Sequence, residues 1–165
     1  MFMPVISRAI VTILALAAIT GRATGQSTAD GWVTHPDAPG TPVVLQFERE
    51  ITLARVPGTF AVTVTADNRF ILLVNGVRVA SGPSTGTTGQ WRYSTVDLAR
   101  HLRSGDNRIS ALVWNFGELA PAAQQSVATG FRLMGSNIST AESGWRVRVI
   151  TGHTAASGRE QIPWT

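Results

Sequence analysis

The sequence contains no cysteine and no lysine, and charged residues make up only 15% of its 165 positions. Without cysteine the chain cannot form a disulfide, a thiolate zinc site, a cysteine nucleophile or a lipid-modified cysteine. The low charge accompanies 44% apolar residues, a composition that excludes a disordered chain and supplies material for one hydrophobic core. We therefore expect one globular domain with an appendage.

All of the positive charge outside histidine comes from arginine, and the formal net charge is +4. Arg8 and Arg22 lie in an N-terminal segment that we interpret as a leader, so the excess falls to about +2 if that segment is removed. Most other arginines are dispersed singly, as Arg49, Arg69 and Arg92 are. A nucleic-acid-binding protein gathers its basic residues on one stripe, so we expect no nucleic-acid partner.

Residues 1–25 have the features of a secretory signal peptide. Arg8 supplies the positive start, residues 9–20 form an unbroken apolar stretch that favours a helix, and Ala23-Thr24-Gly25 offers small residues for cleavage after Gly25. The stretch is about a dozen residues long, whereas roughly 20 are needed to span a bilayer. We favour a cleaved signal over an uncleaved anchor, and expect a secreted or periplasmic protein without membrane attachment.

After an extended lead-in at residues 26–42, rich in Asp, Gly and Pro, the apolar residues recur every second position. This period is typical of half-buried β-strands. Asn75-Gly76 between two apolar runs predicts a hairpin, because both turn positions need positive φ. Residues 95–107 predict a short capped helix. The strands are expected at 43–53, 60–65, 70–74, 77–79, 108–115, 126–133 and 145–149.

These elements predict an all-β fold: an antiparallel β-sandwich or jelly roll of seven or eight strands with one short helix, over residues 43–150. Residues 108–115 are apolar on both faces, which predicts a central strand. Arg49 falls on an apolar face, so we expect it near an edge or paired with a carboxylate. Residues 151–165 are interpreted as the start of a linker to a following domain.

No catalytic residue and no metal site is predicted. Glu48 and Glu50 project from one face of a strand at about 7 Å, a spacing that an inverting glycosidase could use, but the polar face of an amphipathic strand is the better interpretation. The three histidines are far apart in sequence, unlike metal-ligand pairs. Oxygens for a structural calcium could come from Asp67-Asn68, Asp97 and Asp106-Asn107, although we favour turn and cap roles and expect no cofactor.

Sugar recognition is the most substantive functional hypothesis for the domain itself. A pyranose has an apolar face that aromatic rings can cover and hydroxyl groups that polar side chains can bind. Two segments offer both kinds of group, and the candidate substrate-binding residues are Trp91, Arg92, Trp114, Asn115 and Glu118. The alternative, which we favour for the tryptophans, is that they anchor the core or face a neighbouring domain.

Parts of the sequence also resemble a known family. ADNRFILLVNGVRVASGP (66–83) and VDLARHLRSGDNRISALVWN (96–115) resemble the galactose-binding-like jelly rolls of many exo-acting glycosidases. A more specific combination is similar to the N-terminal domain of bacterial α-L-rhamnosidases: WRYSTVDL (91–98), VWNFGELAPAAQQS (113–126), TGFRLMG (129–135) and SGWRVRV (143–149). The resemblance runs from about Val43 to Val149, and its departure is the small residues at 121–124.

The resemblance implies a galactose-binding-like jelly roll that serves as a non-catalytic accessory domain of a secreted, inverting α-L-rhamnosidase-like glycoside hydrolase. The catalytic carboxylates of that family lie on a separate helical barrel, so we expect the chain to stop before the catalytic domain and to turn over no glycoside. Its partners would be rhamnose-containing glycans or that missing catalytic domain. The alternative is a free-standing, lectin-like carbohydrate-binding module. The accessory role predicts an exposed apolar patch; the free-standing module predicts a polar surface with an aromatic platform.

Overall fold

The computed structural model describes residues 21–121 and 124–153 of the chain. Two antiparallel sheets pack face to face, which confirms the predicted all-β sandwich. The six-stranded sheet contains, in spatial order, β1 (Ala23–Thr24), β11 (Arg146–Val149), β4 (Val43–Leu53), β9 (Gly105–Asn115), β6 (Arg69–Val74) and β7 (Val77–Gly82). The five-stranded sheet contains β2 (Gln26–Ser27), β3 (Val33–Thr34), β10 (Gly130–Gly135), β5 (Ala61–Asp67) and β8 (Ser94–Asp97).

Strands β4 and β9 form the long axis of the six-stranded sheet. They pair over eleven residues each, from Val43 opposite Asn115 to Leu53 opposite Gly105. On its other side β9 pairs with β6. The predicted central position of β9 is therefore confirmed: β4 and β6 flank it, its inner face is buried in the core, and Leu112 and Trp114 lie on its outer face.

The core between the sheets is organised around Phe131 of β10. Its ring stacks on Phe47 with centroids 5.8 Å apart and meets Trp145 and Phe70 edge-on at 5.6 and 6.5 Å. All four rings are almost fully buried. Burial of such side chains contributes about 1.5–3 kcal/mol each relative to exposure, so this aromatic group joins the two sheets.

The turn predictions can be checked residue by residue. Asn75 and Gly76 have φ of 51° and 85°, so the hairpin between β6 and β7 is confirmed. The expected helix is a single 3₁₀ turn, Ala99–His101, whose start is capped by the Asp97 carboxylate. A second 3₁₀ turn, Gly117–Leu119, follows β9.

Arg49 of β4 has the carboxylate partner that the sequence predicted. Arg49 pairs with the carboxylate of Glu142 at 2.8 Å, as expected for an arginine on an apolar strand face.

The sheets begin before Val43, because β1–β3 lie in segments interpreted as leader and lead-in. The remainder of the leader (1–20) and residues 154–165 lie outside the described residues. Within the described part of the chain, no helix has the length and apolar character to cross a membrane.

Candidate functional site

The candidate site lies at one end of the sandwich, where the chain passes from β5 in one sheet to β6 in the other. Asp67, the last residue of β5, and Asn68, which follows it, are buried there, together with Asn115 at the end of β9. The backbone N–H of Asn68 donates to the backbone carbonyl of Trp114 at 3.3 Å, which connects this crossover to β9. The strand ends thus gather three polar side chains beneath the loop at residues 124–129.

The Asp67 carboxylate is the hub of this group and is only 1% exposed. Its Oδ2 accepts the backbone amides of Val127 and Ala128 at 2.6 and 3.0 Å. Its Oδ1 accepts side-chain amide hydrogens of Asn68 and Asn115 at 2.9 and 3.4 Å. Charge-assisted hydrogen bonds of this kind are stronger than neutral ones, so the carboxylate holds the 124–129 loop against both sheets.

The asparagines complete the network. Asn115 donates to Ser126 Oγ at 2.8 Å and accepts the Gly117 amide at 2.9 Å, while Asn68 Oδ1 accepts the Phe116 amide at 3.2 Å. The carboxamide groups therefore fix the turn after β9 as well as the loop.

Among the other predicted calcium ligands, Asp97 caps the 3₁₀ turn and Asp106 accepts a hydrogen bond from Thr52. No three His, Asp or Glu side chains of the described residues are grouped for a metal ion.

Beside Asp67 lies a cleft with two tryptophans, which we call the Trp32–Trp91 cleft. The rings meet edge-on with centroids 5.0 Å apart. Gly130 of β10 lies close to β3, since a Cβ there would be 3.3 Å from Thr34 Cγ2 and from the Val33 carbonyl oxygen. The cleft has a volume of about 280 Å³ and is lined by Thr28, Asp30, Trp32, Thr34, Asp67, Trp91, Val127 and Ala128.

The structure brings together only some of the residues predicted to bind sugar. Trp91 lines the cleft. Asn115 is 3% exposed and lies behind the cleft, where its side chain donates to Asp67, which itself lines the cleft. Arg92 follows Trp91 with an exposed side chain, and its carbonyl accepts Thr65 Oγ1 at 2.7 Å. Glu118 is exposed in the second 3₁₀ turn. The sugar-binding role of these residues stays a prediction.

Trp114 does not line the Trp32–Trp91 cleft. It pairs with Val44 and Arg69 on the outer surface of the six-stranded sheet and lines an apolar cleft of about 860 Å³, which we call the Trp114 patch. Leu119 at its rim is 48% exposed. The other side chains and chain segments that line it include Ile71, Leu112, Phe116 and residues 149–153. The two segments that carry the candidate sugar-binding residues therefore contribute their tryptophans to different surfaces.

Trp32 and Asp67 are cleft residues that sequence reasoning did not place at the site. Asp67 was predicted to serve a turn, and Trp32 was not among the candidate residues; each side chain lines the cleft. Their only sequence signal was type: a tryptophan in a polar lead-in and an Asp-Asn pair at a strand end. No spacing in the sequence indicated that Trp32 and Asp67 would lie near Trp91.

The Glu48–Glu50 pair has a structural environment. Glu48 is 3% exposed and its Oε1 lies 3.0 Å from Arg22 and 3.3 Å from Arg146. Glu50 contacts Arg146 at 3.2 Å and Arg108 at 3.6 Å. These carboxylates form a network of ion pairs on the outer sheet surface, in agreement with the interpretation of a polar strand face.

Two facing antiparallel sheets define a β-sandwich, and the cleft lies where its strands end. No family model matches the sequence, and no curated protein does either.

Solved structures do match. One is a family GH78 rhamnosidase of Bacillus sp. GL1, with a TM-score of 0.62 and 23% identity over 76% of this chain and 14% of that chain. Another is the Streptomyces avermitilis α-L-rhamnosidase complexed with L-rhamnose, with a TM-score of 0.50 and 18% identity over 81% of this chain and 14% of that chain. The chain thus spans about a seventh of these enzymes, and the predicted likeness to a rhamnosidase β-sandwich domain is confirmed at the level of the fold.

Proposed function

We propose that this chain is a non-catalytic, glycan-binding accessory domain of a secreted α-L-rhamnosidase-like glycoside hydrolase, and that it binds rhamnose-containing glycans at the Trp32–Trp91 cleft. The observation that carries the proposal is the pairing of two indole rings with carboxylates in one cleft. Catalysis would belong to a separate domain. The apolar stretch at residues 9–20 supports export of the protein.

The chemistry of the cleft suits a sugar ring. Indole faces can cover the apolar face of a pyranose, and the carboxylate of Asp30 and the hydroxyls of Thr28 and Thr34 can bind its hydroxyl groups. The volume of about 280 Å³ is near the lower limit of ligand clefts, roughly 300 Å³. This size favours one or two sugar units over a long chain.

Rhamnose is the first ligand to test. The similar solved structures are rhamnosidases, and one of them carries L-rhamnose. A methyl-bearing deoxy sugar also presents more apolar surface to an indole ring than a fully hydroxylated hexose does. We therefore expect binding of rhamnosides to exceed binding of galactosides.

The test is a titration of the purified chain with L-rhamnose, methyl α-L-rhamnoside and galactose, followed by calorimetry and by NMR. Trp91→Ala should weaken rhamnoside binding at least tenfold because it removes one wall of the cleft. Trp114→Ala is the matched control, since it removes the same side chain from the opposite sheet. Its affinity should equal that of the wild type.

Absence of heat and of chemical-shift change with every rhamnoside would contradict the proposal. An equal loss of affinity in both tryptophan variants would move the site away from the cleft. An aryl rhamnoside assay of the same preparation should detect no turnover; cleavage by the purified chain would contradict the non-catalytic role.

A second function, docking to a following catalytic domain, is favoured by the Trp114 patch. Large apolar side chains are exposed together there, including Phe116 at 38% and Leu119 at 48%. Exposed apolar clusters of this kind mark interaction surfaces. Residues 150–153 line the patch, so a domain joined through residue 153 would begin at its edge. Sequencing the DNA beyond Thr165 tests this role: an in-frame barrel domain supports it, and a stop codon in intact context supports a free-standing module.

A further inference from the structure

The segment at residues 22–27 connects the two sheets. Ala23 pairs with Val147 in the six-stranded sheet, and Gln26 pairs with Thr34 in the five-stranded sheet. Ser27 Oγ donates to the carbonyl of Thr140 at 2.7 Å. A stretch of six residues therefore makes contacts in both layers and crosses the edge of the core between them.

Gly25 is the crossing point. Its amide donates to the carbonyl of Trp145 at 2.8 Å. A Cβ at this position would lie 2.5 Å from a methyl group of Val33 and 3.3 Å from the Trp145 carbonyl oxygen. Val33 and Trp145 are both buried. The backbone at Gly25 thus fits closely over the core, where only glycine leaves enough room.

Arg22 precedes this crossing and forms an ion pair with Glu48. Its guanidinium lies 3.0 Å from Oε1 of Glu48, whose side chain is almost inaccessible. Arg146 reaches the same oxygen at 3.3 Å and Arg108 lies 3.7 Å from Oε2. A buried carboxylate depends on such partners, because burial without compensation is costly.

From these contacts we infer that the leader is cleaved upstream of Arg22, so that the mature domain keeps residues 22–25. The inference rests on the proposed secretion and changes its processing site. Cleavage after Gly25 would remove β1, the amide of Gly25 and the Arg22–Glu48 ion pair. Upstream of Arg22, Ala15-Leu16-Ala17 offers small residues at the two required positions within the second half of the apolar stretch at residues 9–20.

The first experiment expresses the full chain in a bacterium with a secretory pathway and determines the N terminus of the exported product by intact mass and Edman sequencing. We expect a product that begins between residues 18 and 22. An exported product that begins at Gln26 would overturn the inference, while export itself would stand.

A thermal double-mutant cycle on the full chain tests the same claim without export. Arg22→Met should lower Tm by about 3–6 °C in the wild-type background and by much less with Glu48→Gln, because the pair is then already lost. Arg78→Met is the matched control, since Arg78 is exposed and bonds only Ser81 among the described residues. An Arg22→Met variant that melts like this control would overturn the inference. A chain that keeps Met1 would refute both the proposed secretion and the inferred cleavage, whereas a product that begins at Gln26 refutes the cleavage position alone.

Discussion

Replacing the Asp67 carboxylate by a carboxamide should destabilise the domain far more than its small change in shape suggests. All four groups that bond the carboxylate are donors: the amides of Val127 and Ala128 on one oxygen, and the side chains of Asn68 and Asn115 on the other. In Asp67→Asn the new NH₂ must face one of these pairs. Two donor hydrogens then lose their acceptor at a site that is 1% exposed, although the two asparagine side chains keep second acceptors in the Gln125 carbonyl and Ser126 Oγ.

The magnitude follows from which pair is lost. The carboxamide will turn its oxygen toward the two backbone amides, whose bonds of 2.6 and 3.0 Å are the closer set. The bonds from Asn68 and Asn115 at 2.9 and 3.4 Å are then lost. Hydrogen bonds to a charged group contribute about 1.5–3 kcal/mol, and each buried donor without a partner costs about 1–3 kcal/mol. Because the 3.4 Å bond is weak, we expect a loss of about 2–4 kcal/mol in the free energy of unfolding.

Urea unfolding followed by tryptophan fluorescence measures this loss, with an unchanged slope m as the sign that the native surface is retained. Asp106→Asn is the matched control, since Asp106 is exposed and accepts one hydrogen bond, from Thr52 at 2.7 Å, which a carboxamide oxygen can still accept. The control should change stability by less than about 0.5 kcal/mol. A loss at Asp67 no larger than in the control would refute the idea that this carboxylate holds the loop.

Two further predictions concern the end of β5 opposite to the site, near Ala61. Hydrogen bonds from the amides of Ala99 and then Phe60 lower the pKa of Asp97 from its ordinary value of 3.8. The stability it contributes is therefore present above about pH 4 and is lost as the pH falls through the lowered folded-state value; Tm measured from pH 6 to pH 2 should fall less steeply in Asp97→Asn, and parallel curves would contradict this. Gly135→Ala places a methyl group 2.9 Å from a side-chain carbon and 3.0 Å from a backbone oxygen of β5, which should cost about 1–3 kcal/mol. Gly58→Ala, with nothing within 4 Å, should be neutral in the same urea assay, and equal effects would show that β10 can shift.

The features predicted correctly depend on local or periodic signals. Asn75-Gly76 identified a hairpin because positive φ is a property of the two turn residues themselves. The apolar residues on both faces of β9 indicated its central position, because a strand with neighbours on both sides is covered more completely. The short strands β1–β3 have two residues each, too few to show a period, so the start of the sandwich was missed.

The site depends on contacts between residues far apart in the chain. Trp32 meets Trp91, and Asp67 binds residues 127 and 128, through register and crossover geometry that no local spacing records. Trp114 and Asn115 show the limit most clearly. They are adjacent in β9, and since neighbouring side chains of a strand point to opposite faces, Trp114 lies on the outer surface, whereas Asn115 is 3% exposed and donates to Asp67 behind the cleft.

That alternation also determines how the two proposed functions can coexist. The Trp114 patch lies on the outer surface of the six-stranded sheet, whereas the Trp32–Trp91 cleft is formed by the five-stranded sheet and the loop beside it. A catalytic domain docked on the patch would leave the cleft open to a glycan. The Asp67 network lies between them, since the carboxylate that lines the cleft also binds Asn115, the residue after Trp114. Substitutions at the patch should therefore alter docking without changing sugar affinity, whereas changes at Asp67 should affect both by loosening the strand ends that support each surface.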